Sequence, residues 1–393
     1  MRRIPCALIV LFTQFVAAGA FAEETKETVA VVLTRSDALP PEMKNATDPY
    51  FEGYIQSLVD THYSEYRVIV LVKDRKVWLA NLPSNKLIAN SIVAFVKDVP
   101  GVKEVYILEG IPPEDAELRE RYVRRPQSAG VWFPQMTELF QPLIADPRNV
   151  TYILGWRSGD HVCGSRATNF SLGDDFAIYR WLDAVWGADI QISIEAGMWS
   201  VFNMDPSPDI ADGTELVNTD YYVGIPITLA KNKWSFRLRG YHISGHLGDE
   251  YMVNHPGVVR LNPSIEAIDF YTSYQATDSV RVYVGPGVYV DSDPTFKWKP
   301  LYIQYGTEVR FCGHKFYYQK LYGTFFFAMH IRNLEQLHYN WDGTYRMGYE
   351  FSKLQGIGRK FRLFIGYHQG YSLEGQFAKE RTHYFEYDLN YGF

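Results

Sequence analysis

The sequence is poor in cysteine, in charged residues and in long apolar runs. With 3 cysteines in 393 residues, the fold does not rest on a disulfide framework, although Cys163 and Cys312 could pair in an oxidising compartment. Charged residues make up 21% of the chain and the net charge is −6, which argues against a nucleic-acid-binding protein because such proteins carry a basic stripe. After the N-terminus no segment approaches the ~18 uninterrupted apolar residues that a membrane-spanning helix needs.

Aromatic residues, by contrast, are abundant. They make up 16% of the chain and include 29 tyrosines and 24 phenylalanines. Aromatic side chains favour β-strands, and their rings are also enriched where a protein meets a membrane–water interface. The composition therefore favours a β-rich protein that contacts a membrane.

The first 22 residues have the features of a secretory signal peptide. The basic segment "MRR" is followed by the apolar segment "CALIVLFTQFVAAGA", and "AFA" matches the pattern of a signal-peptidase site. We therefore expect a signal peptide over residues 1–22, export to the cell envelope, and a linker over residues 23–47.

Residues 48–110 show the pattern of a small α+β domain. Apolar residues first recur at helical spacing, and two strands follow around the turn at residues 74–76. A second helix begins after an N-cap at Ser84, and a third strand ends the segment. The order α-β-β-α-β resembles the BON domain, as do the sequences "VIVLV", "VWLANL" and "FVKDVPGVKEV". The resemblance implies a periplasmic domain that binds phospholipid or another envelope partner through residues 48–110, and a plain α+β spacer is the alternative.

Residues 111–148 are expected to connect this domain to the next one. Their second half, "VWFPQMTELFQPLIADP", is rich in apolar residues. We expect it to be a helical connector that runs into the second domain.

From residue 149 to residue 393 the apolar pattern has a period of two. It predicts about twelve strands of ~9–13 residues, a length that suits tilted membrane-spanning strands better than soluble ones. In one of them Val280, Val282 and Val284 share one face. Arg281 and Tyr283 share the other face. Apolar residues outside and polar residues inside are typical of an outer-membrane β-barrel, although a soluble β-sandwich also alternates.

Two further features favour the barrel. The connections alternate between short turns, such as "TD" and "KNK", and longer loops, such as residues 247–263. Phe393, with apolar residues at alternate positions before it, resembles the assembly signal of outer-membrane barrels, which implies recognition by the barrel-assembly machinery. We predict an all-β transmembrane barrel of about twelve antiparallel strands in the outer membrane of a diderm bacterium, with the small domain in the periplasm.

Three segments, "SLGDDFAIYRW", "YHISGHLGDE" and "GQFAKERTHYFEYDLNYGF", resemble a bacterial family, domain of unknown function 1207. The resemblance covers residues 149–393. It implies an outer-membrane barrel and leaves the activity of that barrel open.

A His-x-Ser motif lies on the apolar face of one predicted strand. In "WSFRLRGYHISGHL" the arginines belong on the lumen face, so His242 and Ser244 are expected to face lipid near the outer rim. If the following hairpin is symmetric, Glu266 lies opposite Ser244, within side-chain reach. A serine needs a base to become a nucleophile, and the base needs an orienting acid. In this hypothesis His242 is the base, Ser244 the nucleophile and Glu266 the acid.

This motif resembles that of the outer-membrane acyl hydrolases, namely outer-membrane phospholipase A and the lipid A 3-O-deacylases. The resemblance implies outer-membrane lipid as the substrate. In the loop above the motif, Asp249, Glu250 and Asn254 could bind a hard cation such as Ca²⁺. The chain departs from those hydrolases at Gly245, where they usually have asparagine.

The sequence leaves two functions open. His242 and Ser244 also suit the interfacial belt of a barrel without activity, where water and lipid headgroups satisfy polar side chains. The first hypothesis is therefore an envelope barrel with a structural or transport role, and the alternative is the lipid acyl hydrolase. A set of charged residues on the lumen face would either fill a narrow barrel or line a selective pore. This set comprises Glu195, Arg237, Arg239, Asp269, Arg281 and Glu308.

Overall fold

The computed structural model describes residues 46–108, 115–121, 130–205, 213–316 and 321–393. The predicted signal peptide and most of the predicted linker lie outside these residues. Within them, no helix is both long and apolar enough to cross a membrane.

A small α+β unit comes first, with the element order that the sequence predicts. It consists of helix α1 (Asp48–His62), strands β1 (Ile69–Lys73) and β2 (Lys76–Ala80), helix α2 (Lys86–Lys97) and strand β3 (Glu104–Leu108). Strand β2 lies in the middle of the sheet, antiparallel to β1 and parallel to β3. The similarity of this unit to the BON domain stays a prediction.

Local interactions explain where these elements turn and begin. Asp74 and Arg75 join β1 to β2 with positive φ angles of 51° and 64°, as a tight hairpin turn requires. Helix α2 is capped by Asn85, whose side-chain oxygen accepts a hydrogen bond from the backbone N–H of Leu87 at 2.9 Å. The cap therefore lies one residue after Ser84, the predicted position.

Twelve antiparallel strands form a closed barrel. They are β5 (Tyr152–Asp160), β6 (Gly164–Val185), β7 (Ala188–Asn203), β8 (Glu215–Lys231), β9 (Trp234–Leu247), β10 (Ser264–Gln275), β11 (Val280–Ser292), β12 (Leu301–Phe316), β13 (Leu321–Leu334), β14 (Gly343–Ser352), β15 (Lys360–Tyr371) and β16 (Arg381–Gly392). Strands adjacent in sequence are paired, and β16 pairs with β5 to close the sheet. The predicted barrel and its strand number are confirmed.

The wall of the barrel is apolar outside and polar inside. Along β16, Phe385, Tyr387 and Leu389 are exposed on the outer surface. Glu386 and Asp388 alternate with them and are buried in the interior. A closed sheet satisfies all its backbone hydrogen bonds, and an apolar exterior suits a lipid environment. The fold is therefore that of an outer-membrane β-barrel.

The two ends of the barrel differ in their connections. At the short-turn end, strands are joined by turns such as residues 186–187 and 232–233. At the long-loop end, they are joined by loops such as residues 248–263 and 372–380. The first of these loops contains helix α4 (Asp249–Asn254). The predicted alternation of short turns and longer loops is present.

Exposed aromatic side chains occur near both ends of the barrel. Trp186 and Trp234 lie at the short-turn end, and Tyr221 and Trp341 lie towards the long-loop end. Aromatic belts of this kind mark the two membrane–water interfaces of a transmembrane barrel. The strand segments between these two levels are the membrane-spanning part of the protein.

Residues 134–150 of the same chain, the lumen segment, run through the interior of the barrel. A short helix, α3 (Ala116–Arg121), lies upstream. Strand β4 (Gly130–Trp132) then pairs with the end of β6 in the wall, and the chain turns inward before it begins β5. The expectation of a helix in the second half of this connector is wrong, since the lumen segment has no helix. It contains three prolines, and proline is not tolerated in a helix interior.

Charged side chains of the barrel hold the lumen segment by its backbone. The guanidinium of Arg281 donates to the carbonyl oxygen of Gln141 at 2.6 Å. Arg346 donates to the carbonyl oxygen of Ile144 at 2.8 Å, and the N–H of Ile144 donates to Glu308 at 2.9 Å. The lumen is therefore filled rather than open along the described residues, and a cavity of about 110 Å³ lies in its long-loop half.

The small α+β unit packs against the short-turn end of the barrel. Leu182 of β6 and Ala230 of β8 are buried in the same hydrophobic core as the apolar faces of α1 and α2. At the edge of this contact, Lys315 of β12 forms a 2.6 Å ion pair with Asp98, which follows α2. The unit therefore covers one end of the barrel and shares a core with it.

The two cysteines in the described residues are both free thiols. Cys163 is buried in the turn between β5 and β6, at the long-loop end, whereas Cys312 is exposed on β12 towards the short-turn end. A disulfide requires the two Cα atoms to lie within about 7 Å of each other. The pairing considered from the sequence is therefore not formed, because the two residues lie towards opposite ends of the barrel.

Candidate functional site

The His-x-Ser motif lies on the outer surface of β9. Arg237 and Arg239 point into the lumen and are buried, while Leu238 is exposed on the outside. Side chains along a strand alternate between its two faces, so His242 and Ser244 share the outward face with Leu238. Both are near the end of β9, at the long-loop end of the barrel.

The register between β9 and β10 decides which residues lie beside the motif. Glu266 is opposite His242, and Ser244 is opposite Ser264. The predicted pairing of Ser244 with Glu266 is therefore wrong by two residues. The prediction assumed a symmetric β9–β10 hairpin, and the actual register differs from that of the assumed hairpin. A shift of two residues keeps each side chain on its original face. Glu266 thus remains on the outer surface, beside the histidine instead of the serine.

A hydrogen bond joins His242 to Glu266. Nδ1 of the imidazole lies 2.9 Å from Oε1 of the carboxylate, and the two side chains are 39% and 50% exposed. An ionised carboxylate only accepts hydrogen bonds, so Nδ1 must carry the proton. The other ring nitrogen, Nε2, is then free to accept a proton in the neutral imidazole. This is the tautomer that a catalytic base requires.

Ser244 follows two residues after His242 on the same face. On its other side it is paired in register with Tyr221 of β8. Among the described residues, no hydrogen bond joins Ser244 to His242. In proteins without bound substrate, such catalytic hydrogen bonds are often absent or long and tighten only in the complex. The structure therefore brings the predicted base and acid together and places the predicted nucleophile, Ser244, two residues away on the same face.

The departure at Gly245 has a steric cause. This residue points into the barrel, where a Cβ atom would lie 2.6 Å from Oδ1 of Asp220 and 2.8 Å from both Cα of Gly375 and Cγ of Pro263. The loop of residues 372–380 thus folds over the inner side of the motif. An asparagine at this position would collide with that loop, so glycine is required here.

Two further residues complete the outer face of the site. His246 continues the outward row after Ser244, and its ring packs edge-on against Tyr221 at a centroid distance of 5.6 Å. Nη2 of Arg260 lies 3.4 Å from Nδ1 of His246. The alternation along the strand predicts the outward position of His246. Arg260 could not be singled out in this way, because a lone arginine in a loop carries no periodic signal.

The family model of proteins described as "Protein of unknown function (DUF1207)" matches residues 66–393 of the chain. This chain belongs to the DUF1207 family. The match begins inside the small α+β unit, so the family extends further towards the N-terminus than the resemblance over residues 149–393 indicated. Among curated proteins, none matches the chain.

Several solved outer-membrane barrels are similar to the DUF1207 barrel at low identity. Outer membrane phospholipase A from Escherichia coli has 10% sequence identity and a TM-score of 0.41, with 61% of this chain and 91% of that chain covered. The NanC porin has 9% identity and a TM-score of 0.34, with 62% and 98% covered. The beta domain of the Bordetella autotransporter BrkA has 9% identity and a TM-score of 0.35, with 61% and 97% covered. Likenesses this distant carry no conclusion about activity.

The predicted cation ligands of the DUF1207 barrel lie in and around α4. Asp249 and Glu250 are adjacent in its first turn, and neighbouring positions on a helix point in different directions. Asn254, at the end of the helix, donates a 2.9 Å hydrogen bond to the buried carboxylate of Glu215. Within the described ranges, no three His, Cys, Asp or Glu side chains are grouped to hold a metal ion. The set fits Ca²⁺ poorly, and no step of the chemistry is assigned to a metal.

The charged residues of the lumen form a buried network. Arg239 lies 2.6 Å from Asp269 and 3.2 Å from Glu195. Arg281 lies 3.5 Å from Glu308. A buried charge is costly unless it is paired and hydrogen-bonded. Of the two interpretations left open by the sequence, the structure supports the one in which these residues fill a narrow barrel.

Proposed function

We propose that this protein is an outer-membrane lipid acyl hydrolase that uses Ser244 on its outer wall. The contact that carries the proposal is the 2.9 Å hydrogen bond between Nδ1 of His242 and Oε1 of Glu266. It orients a neutral imidazole with Nε2 available, two residues from a serine on the same face. An interfacial belt has no need for an acid that fixes the tautomer of a histidine.

The chemistry follows from the three side chains. Nε2 of His242 removes the proton of the Ser244 hydroxyl as its oxygen attacks the carbonyl carbon of an ester. The protonated imidazole is stabilised by the Glu266 carboxylate and returns the proton to the leaving alcohol. Water, deprotonated by the same nitrogen, then attacks the acyl-serine and releases the fatty acid, which regenerates the free serine.

The position of the site is the second support for a lipid substrate. His242 and Ser244 face outward near the long-loop end, at the level of the exposed aromatic residue Tyr221. Ester bonds of membrane lipids lie at the boundary between headgroups and acyl chains, which is also where aromatic belts lie. A lipid in the surrounding leaflet therefore reaches the site laterally, without entering the filled lumen.

A second candidate function is a structural role without catalysis. The shared core of the small α+β unit and the barrel favours it, because a rigidly attached unit is suited to hold a partner at the membrane. In this role the barrel, inserted by the barrel-assembly machinery, presents residues 48–110 to a periplasmic envelope partner. Transport through the lumen is less well supported, since the lumen segment occupies that path.

The deciding experiment uses the purified full-length protein in detergent. We expect a serine-directed fluorophosphonate to label the wild type, and the wild type to release fatty acid from phospholipid or lipid A. Ser244→Ala abolishes both signals, whereas Ser264→Ala, the serine opposite it on β10, retains them. Absence of labelling and of lipid hydrolysis in the wild type would refute the enzyme and leave the structural role.

A further inference from the structure

Arg260 stands above the outer end of the His-x-Ser row. It belongs to the loop between β9 and β10, and its Nη2 lies 3.4 Å from Nδ1 of His246. His246 is the next outward residue after Ser244 and is braced on its other side by the ring of Tyr221. The row on the outer wall therefore ends, on the water side, in an imidazole and a guanidinium.

The loop is fastened on both sides of Arg260. The side chain of Gln376 accepts a 2.9 Å hydrogen bond from the N–H of Leu261 and donates a 3.3 Å bond to the carbonyl of Val259. One side chain from the neighbouring loop thus clamps the backbone immediately before and after the arginine. Such a clamp fixes where the guanidinium emerges.

A second anchor lies two residues further on. Asn262 donates a 2.7 Å hydrogen bond to Oδ2 of Asp293, in the loop between β11 and β12. Hydrogen bonds from the side chain and backbone of Thr295 and from Asn262 lower the pKa of Asp293 below its usual range. Asp293 is therefore ionised at neutral pH and occupied by these donors, so it does not serve as a partner for Arg260.

The guanidinium of Arg260 has no carboxylate partner among the described residues. Glu266 is bonded to His242, and Asp293 is bonded to Asn262. Asp249 and Glu250 share the loop, and Asp291 lies on β11, yet none of the three forms an ion pair with Arg260 within the described part of the chain. By contrast, the lumen arginines Arg239, Arg281 and Arg346 each pair with an acid.

We propose that Arg260 and His246 bind the phosphate group of an anionic lipid and so present its acyl ester to Ser244. The acyl-transfer part rests on the proposed function, whereas phosphate binding is measurable without it. Guanidinium groups recognise phosphate through paired, charge-assisted hydrogen bonds. A guanidinium only donates hydrogen bonds, so Nδ1 of His246 accepts from Arg260 and Nε2 carries the ring proton. Nε2 is therefore a further donor to the phosphate. The site lies on the water side of the nucleophile, where a headgroup lies relative to its ester bonds.

The kinetic test compares two lipids that differ in phosphate. In mixed micelles, Arg260→Gln raises KM for phosphatidylglycerol about tenfold or more, the loss expected for a charge-assisted hydrogen bond, and leaves kcat and the hydrolysis of diacylglycerol unchanged. The control is Arg381→Gln, at an exposed arginine of the same end of the barrel. It leaves the kinetic constants for both lipids unchanged. An equal effect of Arg260→Gln on both lipids, or no effect, overturns the proposal.

The binding test works without catalysis. In the Ser244→Ala background, a fluorescent phosphatidylglycerol binds less tightly once Arg260→Gln is added, by a similar factor. If no lipid is hydrolysed but this affinity difference is found, the phosphate site stands and the proposed enzyme fails. If inorganic phosphate displaces the lipid as effectively as phosphatidylglycerol itself, the site serves free phosphate, and the lipid-headgroup assignment is overturned.

Discussion

Arg180 of β6 and Glu65 of the small α+β unit form a fully buried ion pair, with 2.9 Å between Nη1 and Oε2. The same guanidinium donates to the hydroxyl of Tyr66 at 3.0 Å and to that of Thr137 at 2.7 Å. One side chain of the barrel wall is thus bonded to both the small unit and the lumen segment. The three parts of the protein meet at this residue.

We expect Glu65→Ala to destabilise the attachment of the small unit. Removal of one partner leaves Arg180 buried without its counter-charge, which costs about 3–5 kcal/mol in typical cases. The thermal midpoint falls, and limited proteolysis releases residues 48–108 from the barrel. Glu104→Ala, which removes an exposed ion pair with Lys76 in the same unit, is the matched control and leaves both measurements close to wild type. Equal behaviour of the two variants would contradict a role of the buried pair in attachment.

In the proposed hydrolase, Glu266 should matter for the rate of catalysis and not for folding. Glu266→Gln keeps a hydrogen-bond acceptor at Nδ1 but removes the charge that stabilises the imidazolium, so kcat for lipid ester hydrolysis falls about 10²–10⁴-fold. Asp291→Asn changes an exposed acid opposite Glu266 on the next strand and leaves kcat within twofold, as a roughly neutral surface change. Fluorophosphonate labelling should likewise be slower in Glu266→Gln than in Asp291→Asn and the wild type. A loss in both variants would point to a general effect of surface charge.

The wild-type barrel should not conduct ions as an open pore. The lumen segment contacts β11, β12 and β14 through Arg281, Glu308 and Arg346. In planar bilayers we expect no steady single-channel conductance from the wild type. Replacement of residues 135–149 by a glycine–serine sequence of equal length should open the lumen and produce such conductance. A stable open channel in the wild type would show that the segment leaves the lumen.

Two glycines in the wall should respond differently to alanine. At Gly306 a Cβ atom would collide with the carbonyl oxygen of Met329 and with the ring of Tyr283. At Gly240, on the outer face of β9, a Cβ atom has no neighbour within 4 Å. Gly306→Ala should lower the free energy of unfolding by about 1–3 kcal/mol. Gly240→Ala should leave the thermal midpoint unchanged or slightly higher, because glycine weakens a strand. Equal midpoints for both would contradict the close packing at Gly306.

Much of the fold was predictable from the sequence because its signals are local. The period of two between residues 149 and 393 specified a sheet with one apolar and one polar face, and the number of turns indicated about twelve strands. The element order of the small unit followed from helical spacing and from the turn at Asp74 and Arg75. These signals lie within a few residues of one another, so no tertiary contact is needed to interpret them.

The lumen segment shows where local signals were insufficient. Its apolar residues suggested a helix, yet Phe140 and Leu143 pack against Tyr271 and Tyr283 inside the barrel. The backbone groups that a helix would satisfy are bonded instead to side chains of strands far along the chain. Hydrogen bonds from the backbone to side chains of distant strands leave no periodic pattern in the sequence of the segment itself.

The sequence by itself determined which residues face lipid, because alternation along a strand follows from backbone geometry alone. The positions of His242, Ser244 and Glu266 within their strands are therefore sufficient to assign all three to the outer wall. Only the tertiary structure decided which of them touch, because register depends on how two strands and their connecting loop pair in space. It placed Glu266 beside His242, and it brought Arg260 to the end of the same row through a loop held by two other loops.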